Sequence, residues 1–114
     1  MRIFTQVLDG THGKPAVGMH ALMERAGENG WTVVADEETD HNGHIEAWAD
    51  WYLERGLYRI VFDSDGYFAS QGVAAAYSEV GVIFRMEGGG ECFRVQVTIS
   101  PYSYSAYFGT IDIR

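Results

Sequence analysis

The chain has 114 residues, 46% of them hydrophobic and 14% aromatic, and a formal net charge of −8. This length provides for one domain over residues 1–114 with a single core, and so apolar a composition excludes a disordered chain. Eight basic residues stand against sixteen acidic ones with no basic cluster, which argues against nucleic acid or an anionic membrane as a partner.

Cys92 is the only cysteine, so no intrachain disulfide can form, and no apolar leader follows Met1. Both point to a cytoplasmic location. No apolar run is long enough to cross a bilayer.

Residues 3–9 form a β-rich run that ends in the turn formers Gly10, Thr11, His12, Gly13, Lys14 and Pro15. Residues 19–24 alternate weakly and predict a second strand, 26–30 a turn, and 31–36 a third strand rich in β-branched residues. Residues 37–43 read as an acidic, solvated loop, after which 44–48 resume extended character. Residues 57–63 predict a strand with Tyr58, Ile60 and Phe62 on one face. Residues 64–72 predict one short helix, with Ser64 or Asp65 capping its start and Gly72 in the left-handed closing position. A strand is predicted over 79–85 and a hairpin loop at Gly88, Gly89 and Gly90.

Residues 93–99 carry the cleanest alternation, with Phe93, Val95, Val97 and Ile99 apolar against Arg94, Gln96 and Thr98 polar. Residues 100–110 are aromatic, hydroxyl-rich and almost uncharged. Tyr104, Ala106 and Phe108 alternate there with Ser105, Tyr107 and Gly109, one set for a core and the other for a polar, uncharged surface. Such a surface suits a shared interface or a small-molecule cavity. Seven to eight short strands, tight turns and one helix indicate an antiparallel β-sandwich.

Four stretches resemble one known family. They are Val7-Leu8-Asp9 followed by Gly13-Lys14-Pro15-Ala16-Val17-Gly18, then Thr39-Asp40-His41-Asn42-Gly43-His44, then Phe62-Asp63 with Tyr67-Phe68 and Gly72, and Ser100-Pro101-Tyr102-Ser103-Tyr104-Ser105. The chain is thereby identified as similar to the transthyretin family, which includes 5-hydroxyisourate hydrolases and a thyroxine carrier. The resemblance covers nearly the whole chain. It implies a transthyretin-like sandwich assembled as a homotetramer, two dimers facing each other across a channel. Gln6, Leu8, His44, Arg94, Gln96, Thr98, Ser105 and Tyr107 are expected to face that channel. Pairing between chains is expected at the edge strands near 80–85 and 104–110.

The family's hydrolases use two histidines, one arginine and a closing Tyr-Arg-Gly-Ser. By resemblance, Gln6 replaces the first histidine, His44 the arginine and Arg94 the second histidine. Tyr107-Phe108-Gly109-Thr110 replaces the closing tetrapeptide, and four further residues, 111–114, are expected to continue the last strand. An imidazole can activate water near neutral pH, and a guanidinium can steady charge developing on a carbonyl oxygen. His44 is therefore expected as the proton-transfer group and Arg94 as the anion holder, the two catalytic residues. Gln6, Leu8, Gln96, Thr98, Ser105, Tyr107 and Thr110 are expected to bind a small-molecule substrate. Each alone has an ordinary explanation, His44 as a turn residue and Arg94 as a solvated charge; the shared channel is what joins them. His41 and His44 are three apart beside Asp40, but without a convincing ligand set no metal is expected, and no cofactor. Three functions follow: a diverged hydrolase-like enzyme on a small cyclic substrate, a non-catalytic carrier, or 5-hydroxyisourate hydrolysis by a rearranged site.

Overall fold

The computed structural model describes residues 1–50, 52–87 and 91–111. Eight strands build two four-stranded sheets. In chain order they are β1 (Arg2–Asp9), β2 (Lys14–Pro15), β3 (His20–Gly27), β4 (Gly30–Glu38), β5 (Gly56–Phe62), β6 (Val80–Met86), β7 (Cys92–Ser100) and β8 (Ser103–Thr110). A 3-10 turn spans Glu46–Asp50 and helix α1 spans Ser64–Ala69. The first sheet runs β2-β1-β7-β8 and the second β4-β3-β5-β6. No helix among the described residues is long and apolar enough to cross a membrane.

The expected sandwich is present, with one difference in its pairing. β1 and β7 lie parallel, Ile3 opposite Phe93 and Val7 opposite Val97, while every other pair of strands is antiparallel. Local alternation cannot reveal this, because parallel neighbours must come from distant parts of a chain.

The strands with clear alternation behave as their period requires. Ile3 and Val7 of β1, with Val95, Val97 and Ile99 of β7, are buried against Ala21, Met23, Ile60, Phe62 and Met86 of the second sheet. Each such side chain contributes about 1.5–3 kcal/mol when fully buried. Residues 44–48 depart from the extended reading. His44 makes a single antiparallel bridge to Gln6, and the chain then coils into the 3-10 turn. The reason is packing: one such turn brings Ile45 and Trp48, three apart, into the core at 2% and 0% exposure.

The cap of helix α1 falls before both expected positions, Ser64 and Asp65. Asp63 is the N-cap, its Oδ1 accepting from the Gly66 amide at 2.9 Å, and Ser64 is already helical and buried. The helix ends at Ala69, and Gly72 still takes a left-handed φ of 72°. The loop before residue 44 is also more anchored than its acidic composition implies. Buried Thr39 donates its hydroxyl to the Ala16 carbonyl at 2.7 Å and accepts the Met19 amide at 2.8 Å. The hairpin loop at Gly88, Gly89 and Gly90 and the tail at 112–114 lie outside the described residues; Ile111 donates its amide to the Cys92 carbonyl at 2.9 Å.

β8 is an edge strand whose expected inward set stays at the surface of the single chain. Tyr104 is 43% exposed and Phe108 37%, although Phe108 stacks on Phe84 and Phe93 at 5.3 and 5.5 Å.

Candidate functional site on the outer face of the first sheet

Strand register arranges most of the expected residues in rows. Gln6 pairs with Gln96, which pairs with Tyr107; on the far side of β1, His44 bridges Gln6. His44, Gln6, Gln96 and Tyr107 thus form one row across four segments. The next row along β1 and β7 holds Leu8, Thr98 and Ser105, and the row on the other side holds Phe4, Arg94 and Gly109. Because side chains alternate in a strand, these residues share the face turned away from the core.

His44 is seated by a loop that only one residue type can close. Gly43 has φ 77°, and a Cβ there would collide with the Val7 carbonyl oxygen. That oxygen's neighbour, the Val7 amide, donates to the Gly43 carbonyl at 2.8 Å, and the Ile45 amide donates to the Thr5 carbonyl at 3.1 Å. Asp40 draws the loop together: its Oδ1 accepts the Asn42 amide at 2.8 Å and the His44 amide at 2.9 Å. The bond from the His44 amide is the main reason that the Asp40 carboxyl lies below its ordinary pKa.

A cavity of ≈ 410 Å³ opens at this place, lined among others by Phe4, Gln6, His44, Glu46 and Arg94. Three of the expected site residues therefore meet there from three separate segments. Leu8 and Thr98 line a second hollow of ≈ 330 Å³ with Pro15 and Lys14. Ser105 and Tyr107 are exposed on the same face, Tyr107 at 59%. Thr110 does not join them: it pairs with Phe93, whose side chain is buried in the core, so it belongs to the opposite face from Tyr107. The strand period decides this, since Thr110 is an odd number of residues from Tyr107.

Phe4, Thr5, Ile45 and Glu46 also line the cavity and escape the sequence reading; Thr5 and Ile45 are themselves buried. Phe4 sits two before Gln6 on β1, so the same period-2 count could have found it. Glu46 sits two after His44, but in the 3-10 turn, where strand alternation gives no guide. Glu46 also completes a three-donor group. One ligand atom each of Asp40, His44 and Glu46 lie within 4.8 Å of one another, a set with two carboxylates and one imidazole that could hold a divalent ion.

A second polar cluster supports the frame beside the hollow. Asp9, the last inward residue of β1, is 1% exposed. It accepts the Tyr67 hydroxyl at 2.8 Å, His12 Nδ1 at 2.9 Å and the amides of Thr11 and His12. Burial pushes its carboxyl up, but those hydrogen bonds outweigh burial and hold it below the ordinary value. Burial and the Asp9 contact push the Tyr67 phenol up to about 12. Tyr67 thereby ties helix α1 to the end of β1.

Fold and site together define a two-sheet β-sandwich with a small polar cavity on one outer face. Residues 3–109 match the model of the HIUase/Transthyretin family, and the chain belongs to that family. It is 34% identical over 105 residues to a 5-hydroxyisourate hydrolase of Salmonella dublin, covering 91% of this chain and 77% of that protein. It is equally 34% identical over 110 residues to a probable 5-hydroxyisourate hydrolase of Caenorhabditis elegans, covering 95% and 80%. Among solved structures, Klebsiella pneumoniae 5-hydroxyisourate hydrolase superposes with a TM-score of 0.84 at 25% identity over 96% of this chain and 100% of that one. Sea bream transthyretin in complex with thyroxine superposes at 0.90 with 24% identity, over 100% and 99%, a likeness of fold.

Proposed function

We propose that this protein is an enzyme on the 5-hydroxyisourate hydrolase scaffold that acts on a small, polar, cyclic substrate in a channel between subunits of a homotetramer. The observation that carries the reading is the meeting of Gln6, His44 and Arg94 on one cavity of ≈ 410 Å³. The reaction is ring opening by water. His44 accepts a proton from water as its oxygen attacks a ring carbonyl, and Arg94 steadies the oxyanion. The C–N bond of the ring then breaks, and His44 returns the proton to the departing nitrogen. Ring closure or tautomerisation draws on the same two groups. Gln6, Gln96 and Tyr107, in one row, position the substrate.

Steady-state assay of the purified protein on 5-hydroxyisourate tests this. Turnover at least about 10²-fold below that of an ordinary family hydrolase is expected, the usual cost of losing a positioned acid–base group. His44→Asn should then lower turnover of the true substrate while retaining its binding. A change in binding alone would make the protein a carrier. Comparable turnover on 5-hydroxyisourate would establish the second reading, hydrolysis of that compound by a rearranged site. The relatives at 34% identity that bear this name favour it. For the assembly, β8 presents an unpaired edge with exposed Tyr104 and Tyr107, and Tyr102 is exposed in the turn before it. Sedimentation showing only a monomer at micromolar concentration would remove the shared channel.

A further inference from the structure

Opposite charges face this cavity without neutralising each other. Arg94 of β7 and Glu46 of the 3-10 turn both line it, yet they are not among the ion pairs formed between described residues. Their placement accounts for this. Arg94 stands opposite Phe4 in the β1–β7 register. Running antiparallel from the His44–Gln6 bridge, with the Ile45 amide bonded to the Thr5 carbonyl, the chain brings Glu46 to the level of Phe4 on the other side of β1. Phe4 thus lies between them, and two strand spacings put their backbones roughly 10 Å apart. Asp40, with a donor atom within 4.8 Å of both His44 and Glu46, lies behind the same end and adds its negative charge there without lining the cavity. The cavity has a cationic end, an acidic end and an aromatic ring on its floor.

Resting on the small-molecule reading above, we infer that the ligand of this cavity is a zwitterionic ring compound. Its anionic group meets the Arg94 guanidinium, its protonated amine or amidine meets Glu46 beside Asp40, and its ring lies over Phe4. A planar guanidinium accepts a carboxylate through two parallel hydrogen bonds, and a carboxylate accepts an ammonium as strongly. A ligand with one charge leaves the other end of the cavity without a partner. Selectivity therefore comes from matching both ends at once.

The probes are three six-membered rings: isonipecotate (piperidine-4-carboxylate), a zwitterion with its charges at opposite ends of the ring; cyclohexanecarboxylate, an anion; and piperidine, a cation. Ligand-observed NMR titration of the full chain gives each dissociation constant. Isonipecotate should bind about tenfold more tightly than either singly charged ring, the worth of one added charge-assisted hydrogen bond. Glu46→Gln should abolish its advantage over cyclohexanecarboxylate, and Arg94→Gln its advantage over piperidine, with denaturation midpoints confirming that both variants fold. Cyclohexanecarboxylate binding as tightly as isonipecotate to the native protein would overturn this inference while leaving the small-molecule site standing. So would a preference for isonipecotate that survives Glu46→Gln. Binding of none of the three rings would overturn both the inference and the site.

Discussion

The two sheets treat their outward charges differently. On the second sheet Arg59, Arg25 and His20 are engaged within the chain, whereas exposed Arg85 of β6 forms no ion pair with a described residue. Arg59 lies 2.9 Å from buried Glu24 and stacks 4.4 Å from the Trp31 ring centroid. Arg25 pairs with Glu54 at 3.2 Å and lies 5.6 Å from the Tyr58 ring centroid, and His20 pairs with Asp36. On the first sheet, Gln6, Gln96 and Arg94 make no side-chain hydrogen bond or ion pair with any described residue. A polar group satisfied inside the chain stabilises the fold; one left unsatisfied beside a cavity is available to a ligand or a neighbouring subunit. The outward polar groups of β3 and β5 thus serve the fold, whereas those of β1 and β7 stay open beside the cavity.

The largest effect on stability should come at the loop that joins His44 to the first sheet. Gly43→Ala forces a side chain into left-handed backbone and against the Val7 carbonyl. It should cost about 3 kcal/mol in chemical denaturation and remove the cavity's imidazole from its place. A fully stable variant with native activity would mean that His44 does not need its bridge to Gln6.

The comparison itself is sharpened by two arginine substitutions. Arg59→Ala leaves Glu24 buried without its partner and strips the cation from Trp31, for a loss of about 2 kcal/mol. Arg94→Ala should cost less than about 0.5 kcal/mol while abolishing function, since its guanidinium forms no ion pair with a described residue. Equal losses from both would end the distinction between the sheets.

A smaller effect of about 1.5 kcal/mol is expected from Tyr67→Phe, which deletes a hydrogen bond to the Asp9 carboxylate. The pH dependence has two signs. Asp9 is depressed below 3.8 in the folded chain, so its contribution is present above that value and is lost as pH falls through the folded pKa. Tyr67 is raised from 10.0 to about 12, so its contribution is complete below 10.0 and is lost as pH rises toward about 12. Tyr67→Phe should flatten the alkaline limb and move the acid limb to higher pH. Unchanged limbs would show that the pair does not couple α1 to β1.

Thr5→Val should have a modest effect of the opposite sign. The Thr5 hydroxyl is buried on the inner face of β1 with no hydrogen-bond partner among the described residues. An apolar group of the same shape should stabilise the chain by about 1 kcal/mol, read from the denaturation midpoint.

By itself the sequence determined what depends on near neighbours. Alternation in β5 and β7 settled which side chains enter the core, since residues two apart in a strand share a face. It also placed Gln96 and Arg94 on the polar face of β7, while Gln6 came from the family resemblance, and the turn formers at 10–15 and 26–30 marked where the chain reverses. The motifs from Val7 to Ser105 pointed to the family for the same local reason. Only the tertiary structure decided what depends on which segments meet. The parallel pairing of β1 with β7 joins residues some ninety positions apart, and it sets Gln6 beside Gln96 rather than beside another residue of that face. The coiling of 46–50 follows from a core that needs both Ile45 and Trp48, and that coil carries Glu46 to the cavity. Thr110 shows the limit from the other side: motif matching put it in the site, and the register with Phe93 turned it to the opposite face.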